Sequence, residues 1–240
     1  IKGDQIVGHS EQLGNGSPMR NRLIVLTRMF NASATTGAMI GVMPIRHTIP
    51  DGETLAAMPP FARLGLDRIH QVFTGPQARE AQAELVCAKV WGFDTESKPT
   101  FRRDEVSEGP HIVQLATLER AWVFQLHDPD CRALTAQALA RRGVVKAGFG
   151  LGDDRKRIAD KLGVVPEDVL DLNHLFHQRG YRKDMGVRGA VAVLFNRRFI
   201  KSRKATTSNW ALPRLTEAQL LYAANDAWAA LKVYEALQNS

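Results

Sequence analysis

Short apolar runs in the middle of the sequence predict the strands of a sheet. Residues 85–93 are rich in apolar side chains and lead into the triplet Asp94-Thr95-Glu96, so we expect a strand there. The next two runs are separated by a short connection, which is typical of a β-hairpin. The further predicted strands are residues 111–116, 120–126, 144–149 and 169–172.

Helical periodicity lies between and after these runs. The predicted helices are residues 132–141, 153–162, 185–196 and 216–238. Gly163 closes the second helix, because glycine readily adopts the conformation that ends a helix. The last helix opens with a capping box, in which Thr216 precedes Gln219 by three residues. Strands in series followed by alternating strands and helices predict an α/β fold, a mixed sheet with helices packed on it.

The first 57 residues differ from the rest of the chain. They contain stretches rich in Gly, Ser and Thr and no sustained period, so we expect residues 1–57 to be a poorly ordered extension of a single domain at residues 58–240. The sequence begins with Ile, and one hypothesis is that translation starts at Met43 or Met58. A targeting peptide is the less favoured alternative, because no amphipathic helix or apolar signal core is evident.

Composition narrows the class of protein. The 240 residues are 44% hydrophobic and 24% charged, which is ordinary for a globular chain. Only Cys87 and Cys131 are present, which argues against a disulfide framework or a multi-cysteine zinc site and favours a reducing, cytoplasmic location. No apolar run reaches the roughly 18 residues of a membrane-spanning helix, so we expect no membrane partner.

Asp94 and Glu96 are the first candidates for chemistry. They stand two positions apart at the end of a predicted strand, and the period of a strand directs both carboxylates to the same face. Neighbouring carboxylates repel each other unless a cation lies between them, and a divalent metal suits that position. A solvated loop start is the alternative for this pair taken alone.

Asp154 is the next candidate. It follows a glycine-rich stretch, but a dinucleotide-binding loop is excluded because Asp153 stands where that pattern needs glycine. Asp154 shares a helical stripe with Ile158 and Leu162, which directs its carboxylate toward the core side. Asp153 is expected to be the N-cap of the same helix.

Tyr222 and Asp226 form the last candidate pair. Four residues apart in a helix, they project from the same side, and the small residues between them allow another element to approach closely. The alternative for this pair alone is a packing tyrosine beside a solvated aspartate.

Taken together, these residues resemble the DnaQ-like 3'-5' exonuclease superfamily in its tyrosine-containing, DEDDy branch. The segment Trp-Gly-Phe-Asp-Thr-Glu at 91–96 looks like the first motif of that family, residues 148–158 like the second and residues 215–227 like the third. Ser208-Asn209-Trp210 is similar to the Werner-type exonuclease domain and to RNase D relatives. The resemblance runs from about residue 85 to the end and implies an RNase H-like fold.

The resemblance also implies an activity: metal-dependent, stepwise hydrolysis of phosphodiester bonds from nucleic acid 3' ends, with release of nucleoside 5'-monophosphates. The implied ligands of two divalent cations, Mg²⁺ or Mn²⁺, are Asp94, Glu96, Asp154 and Asp226, and Tyr222 is implied to orient the attacking water. All-oxygen ligands independently favour hard cations over zinc. Single-stranded or frayed ends of DNA or RNA are the expected substrates, with no small-molecule cofactor. A nucleic-acid-binding module of the same fold without turnover is the alternative.

The net charge of +7 is concentrated in one segment. Residues 182–204 contain eight basic residues and one acidic residue, and this difference equals the charge of the whole chain. Because Lys and Arg contacts to phosphates supply salt-dependent affinity, this segment is a candidate nucleic-acid surface. The expected phosphate contacts are Arg197, Arg198, Lys201 and Lys204, and Gln114 is a weaker candidate to face the substrate.

Overall fold

A six-stranded mixed sheet is the centre of the molecule. The computed structural model describes residues 47–100 and 108–239. The strands are β1 Ile69–Val72, β2 Val90–Glu96, β3 Ile112–Ala116, β4 Ala121–Gln125, β5 Val145–Gly148 and β6 Val169–Asp171, in the spatial order β1-β4-β3-β2-β5-β6. β3 is antiparallel to both of its neighbours, and the other pairs are parallel. This confirms the predicted mixed sheet and hairpin.

Helices cover both faces of this sheet. They are α1 Gly52–Ala57, α2 Gly75–Leu85, α3 Pro129–Leu139, α4 Gly152–Leu162, α5 Leu172–Gln178, α6 Gly186–Phe195, α7 Arg203–Thr206 and α8 Glu217–Gln238. The predicted capping box of α8 is present between Thr216 and Gln219, and Gly163 ends α4 in the left-handed conformation. None of the helices in the described ranges is long and apolar enough to cross a membrane.

The strand expected at residues 85–93 is partly wrong. Leu85 is the last residue of α2, and the strand begins at Val90 and continues through the acidic triplet. The buried side of α2 contains small residues such as Ala78 and Ala81, which do not stand out as an apolar stripe in the sequence. Helix α2 was therefore not predicted. The short strand β1 was not predicted either.

The predicted N-terminal extension falls largely outside the described residues, since the structure describes nothing before residue 47. The described part of it, however, contains α1, where no regular structure was expected. Asp51 caps this helix by accepting a hydrogen bond from the backbone N–H of Thr54 at 2.8 Å. Arg198 donates from Nη1 to the carbonyl of Ala56 at 2.9 Å, so the fold extends beyond the predicted boundary at residue 58.

The two faces of the sheet are packed differently. On one face, Trp91 and Phe93 of β2 lie in an apolar cluster with residues of α2, α3 and α4. On the other face, small residues of α8 pack against β3 and β4. Gly92 permits this approach, because a Cβ at that position would lie 1.9 Å from the carbonyl oxygen of Ala227. Helix α8 therefore lies directly against β2.

Candidate active site

The candidate site lies at the edge of the sheet where the parallel strands end. β2 ends at Glu96 and β5 at Gly148, which are neighbouring strands running in the same direction. Ligands of open α/β sheets bind outside the carboxyl ends of the strands. The turn after β5 leads into α4, so Asp154 is brought to the same edge.

Three of the predicted carboxylates meet at this edge. One oxygen each from Asp94, Glu96 and Asp226 lie within 4.8 Å of one another, and we call these three residues the acidic cluster. β2 supplies the first two from one face of the strand, as its period predicts. Asp226 comes from α8 and is 4% exposed. The close approach at Gly92 thus brings the first and third sequence motifs together.

The acidic cluster is short of positive charge. Burial, and after it the charge of Asp226, raises the pKa of Asp94 to about 8. Burial and then the neighbouring Asp94 raise the pKa of Glu96 to about 9, and burial also raises the pKa of Asp226. Three acids held together out of water bind protons more tightly unless a cation replaces the protons. Hard oxygen donors in this arrangement fit Mg²⁺ or Mn²⁺.

Lys201 is the cation closest to this cluster in the described part of the chain. Its Nζ lies 2.6 Å from Oδ2 of Asp226 and 4.9 Å from the ring centroid of Tyr222. Burial alone would lower the pKa of Lys201, but the charge of Asp226 and its hydrogen bond outweigh burial, so the pKa is raised and the ammonium stays charged. The sequence suggested Lys201 as a phosphate contact, and the structure places it in an ion pair within the site.

Tyr222 lies one helical turn before Asp226 in α8 and lines the same cavity of about 510 Å³ as the acidic cluster. Its hydroxyl oxygen accepts a hydrogen bond from Oγ1 of Thr206 at 3.2 Å. Burial, and then the charge of Asp226, raises the pKa of Tyr222 to about 12. The side chain is therefore a neutral phenol at pH 7 and can donate its own proton.

Asp154 is close to the acidic cluster but not part of it. Its Oδ1 accepts a hydrogen bond from Oγ1 of Thr95 at 2.7 Å, which holds it against the end of β2. Burial raises the pKa of Asp154, and this hydrogen bond opposes the rise. Sequence reasoning missed Thr95. The signal was its place between Asp94 and Glu96, which directs its side chain to the opposite face of the strand.

The prediction that Asp153 caps α4 is wrong. The cap is Leu151, and Asp153 is an exposed residue in the first turn. The backbone N–H of Leu151 donates to Oδ2 of Asp171 at 3.0 Å, and Gly150 turns the chain with φ of +67°. A contact from β6 therefore fixes where the helix starts, and local sequence could not show it.

The basic segment, residues 182–204, contains both exposed side chains and side chains bonded to other parts of the protein. Arg198 is half-buried and bonded to Ala56, and Lys201 pairs with Asp226, whereas Arg197 and Lys204 are exposed. Among the other members whose burial the structure describes, Arg182, Lys183 and Arg188 are also exposed. Of the four expected phosphate contacts, two are thus open to solvent and two are held by protein groups.

Comparisons with known proteins agree with this geometry. Residues 69–240 match a protein family described as 3'-5' exonuclease. A 3'-5' exonuclease of Arabidopsis thaliana is 27% identical over 150 residues, which cover 62% of this chain and 52% of the relative. The mouse bifunctional 3'-5' exonuclease/ATP-dependent helicase WRN is 27% identical over 153 residues, which cover 62% of this chain and 11% of WRN. The chain thus spans about half of the first relative and a small part of the second.

Solved structures show the same fold. The Nibbler EXO domain of Aedes aegypti superposes with a TM-score of 0.64 at 23% identity, covering 74% of this chain and 90% of that one. Escherichia coli RNase D superposes with a TM-score of 0.62 at 20% identity, covering 71% of this chain and 44% of RNase D. The expected RNase H-like arrangement is therefore confirmed. Because the family match extends over most of the chain and includes all three motifs, the chain belongs to the 3'-5' exonuclease family.

Proposed function

We propose that this chain is a metal-dependent 3'-5' exonuclease. It removes nucleotides one at a time from the 3' ends of single-stranded or frayed DNA or RNA and releases nucleoside 5'-monophosphates. The observation that carries the proposal is the acidic cluster, three carboxylates within 4.8 Å of one another in a cavity that also contains Tyr222. Membership of residues 69–240 in the exonuclease family supports the class of reaction.

Four carboxylates hold two divalent cations, Mg²⁺ or Mn²⁺, in this proposal. Asp94, Glu96 and Asp226 of the acidic cluster would hold the cations together with Asp154, and Asp94 would serve both. When bound, the cations polarise the scissile phosphate and offset the charge that develops on it. The four negative charges match the charge of two divalent ions, which leaves a site that admits a phosphate.

Tyr222 orients the attacking water in this proposal. Tyr222 donates its phenolic proton to Asp226 in this structure, and in the working site the attacking water would take the place of that acceptor. The raised pKa of the phenol argues against a role as a free phenolate base at pH 7. Its hydroxyl therefore positions the water, and its place one turn from Asp226 keeps that position next to the cluster.

Lys201 changes partner in the working enzyme. Asp226 holds the ammonium in the structure, and a carboxylate that binds a cation interacts less with a neighbouring ammonium. Released from Asp226, the ammonium would be free to contact a phosphate of the bound strand. Arg197 and Lys204, both exposed, contact phosphates further along the strand.

The experiment that tests the function uses matched DNA and RNA strands carrying a label at the 5' end. With Mg²⁺ or Mn²⁺, the purified protein should convert each accepted strand into a ladder that shortens from the 3' end, with nucleoside 5'-monophosphate as product. EDTA should abolish the ladder. Binding of the strands without any shortening, in every metal, would contradict the proposal and favour the module without turnover.

A further inference from the structure

Gln114 is a buried glutamine beside the acidic cluster. It lies on β3 and is fully buried, with 0% of its surface exposed. In the antiparallel register it stands directly opposite Asp94 of β2. Side chains of directly opposite residues share one face of the sheet, with Cβ atoms about 4.5–5.5 Å apart. Gln114 is therefore the nearest cross-strand neighbour of Asp94 on this face.

The amide of Gln114 has no hydrogen-bond partner among the residues that the structure describes. This holds for both Oε1 and Nε2. A buried polar group without a partner lowers stability, because the hydrogen bonds that it made to water are lost and not replaced. Folded proteins contain few such groups, and each calls for an explanation, such as a bound ion or water at the site.

Gln125 shows what a buried glutamine in this sheet does when its role is structural. It lies on the neighbouring strand β4, opposite Ile112, on the same face as Gln114, and is 1% exposed. Its Nε2 donates to the carbonyl of Leu212 at 2.9 Å, and its Oε1 accepts from Gln71. The two glutamines share burial, strand type and face, and they differ in partners and in the nearness of Asp94.

We propose that Gln114 is a positioning residue for Asp94 when the site binds a divalent cation, an inference that rests on the proposed function. Oδ1 of Asp94 already accepts the backbone N–H of Thr95 at 2.9 Å. The Nε2 of Gln114 supplies a second N–H to this carboxylate as it turns to bind the cation. Hydrogen bonds of this kind orient metal-binding carboxylates, and their loss weakens metal binding.

Metal binding without nucleic acid separates this role from a structural one. We would titrate the purified protein with Mn²⁺ and follow the free ion by electron paramagnetic resonance, for the wild type and for Gln114→Leu. The variant should bind Mn²⁺ roughly 10- to 100-fold more weakly. In the metal-free state its thermal midpoint should equal or exceed that of the wild type, because leucine removes an unpartnered amide.

Gln125→Leu is the matched control. This substitution leaves the Leu212 carbonyl without its donor, so it should lower the thermal midpoint and leave the Kd for Mn²⁺ within twofold of the wild type. Gln114→Leu binding Mn²⁺ as tightly as the wild type would overturn the inference, as would equal weakening in the two variants. In either case a wild type that binds Mn²⁺ and degrades strands leaves the proposed function standing, whereas a wild type that binds no Mn²⁺ overturns both.

Discussion

The two faces of β2 differ in the kind of side chain that they carry and in how those side chains are packed. Trp91 and Phe93 point to one side, are 2% and 0% exposed, and lie in a close-packed apolar cluster, with Nε1 of Trp91 donating to the Leu85 carbonyl at 2.9 Å. Gly92 and Asp94 point to the other, against α8. Successive strand residues alternate between faces, so one strand supplies stability on one side and chemistry on the other.

The side chains of the apolar face are close-packed in the folded chain. On the α8 face, by contrast, polar side chains lack hydrogen-bond partners or opposite charges. On the α8 side, burial raises the pKa of Asp94, and the amide of Gln114 has no partner among the described residues. Unpaired polar groups and crowded acids destabilise a folded protein, and a bound cation would relieve both. A destabilising polar region beside a well-packed core therefore marks a place where a ligand is expected.

Replacing a carboxylate should give the largest effect on activity. Asp94→Asn should lower the rate of degradation by roughly 10³-fold, because a carboxylate proposed to hold the cations loses its charge. Urea unfolding of the metal-free variant should show no loss of stability, since burial and Asp226 disfavour the charge of Asp94. The exposed Asp153→Asn is the control and should keep the wild-type rate. If Asp94→Asn kept the wild-type rate, the reaction would not depend on this face of β2.

Truncation on the apolar face should lower stability and leave metal binding unchanged. Phe93→Ala leaves a cavity in the core and should lower the free energy of unfolding by about 3–5 kcal/mol, measured in urea. The folded variant should bind Mn²⁺ as the wild type does, because its neighbours Gly92 and Asp94 face the other side. Phe93→Leu, which retains most of the volume, should lose less. A loss of Mn²⁺ binding as large as that of Asp94→Asn would show that the two faces are not separate.

Gly92→Ala tests the close approach of α8 to β2. The added Cβ would lie 1.9 Å from the carbonyl oxygen of Ala227, so α8 must move away from β2. Overpacking of this kind should cost about 1–3 kcal/mol of unfolding free energy, and the displaced Asp226 should weaken Mn²⁺ binding as well. At Gly152 a Cβ would meet nothing within 4 Å, so Gly152→Ala is the control and should change neither quantity adversely. Normal Mn²⁺ binding by Gly92→Ala would argue against the close approach.

The exposed basic residues should give the smallest effect. Replacing Arg197 and Lys204 together by Gln should weaken strand binding several-fold and lower the slope of log Kd against log salt by roughly 1.5, which is about 0.7–0.9 for each of the two lost contacts. Mn²⁺ binding should stay unchanged. Arg198→Gln serves as the contrast, because its guanidinium bonds to Ala56 and should affect stability instead. An unchanged salt slope in the double variant would place the strand elsewhere.

Local periodicity explains which parts could be predicted from sequence. The same-face pairing of Asp94 with Glu96, and of Tyr222 with Asp226, follows from the strand and helix periods alone, and both pairs line one cavity. Asp153 was wrongly expected as a cap because the start of α4 depends on Asp171, a residue from another strand.

The remaining features depend on tertiary contacts. Lys201 pairs with a residue of α8, and the amide of Gln114 is notable only because no described residue hydrogen-bonds to it. Helix α2 buries small side chains such as Ala78 and Ala81, whose pattern carries little hydrophobic signal. Sequence periods paired the acidic residues and the family resemblance assembled them into one site, whereas the roles of Lys201 and Gln114 could be seen only in the fold.

We propose above that the acidic cluster on the α8 face holds divalent cations. The most direct measurement is titration of the protein with Mn²⁺ in the absence of nucleic acid, for the wild type and Asp94→Asn in parallel. The wild type should show saturable binding that Mg²⁺ displaces, and the variant should lose it. Equal Mn²⁺ binding by the two proteins, or none by the wild type, would contradict the account.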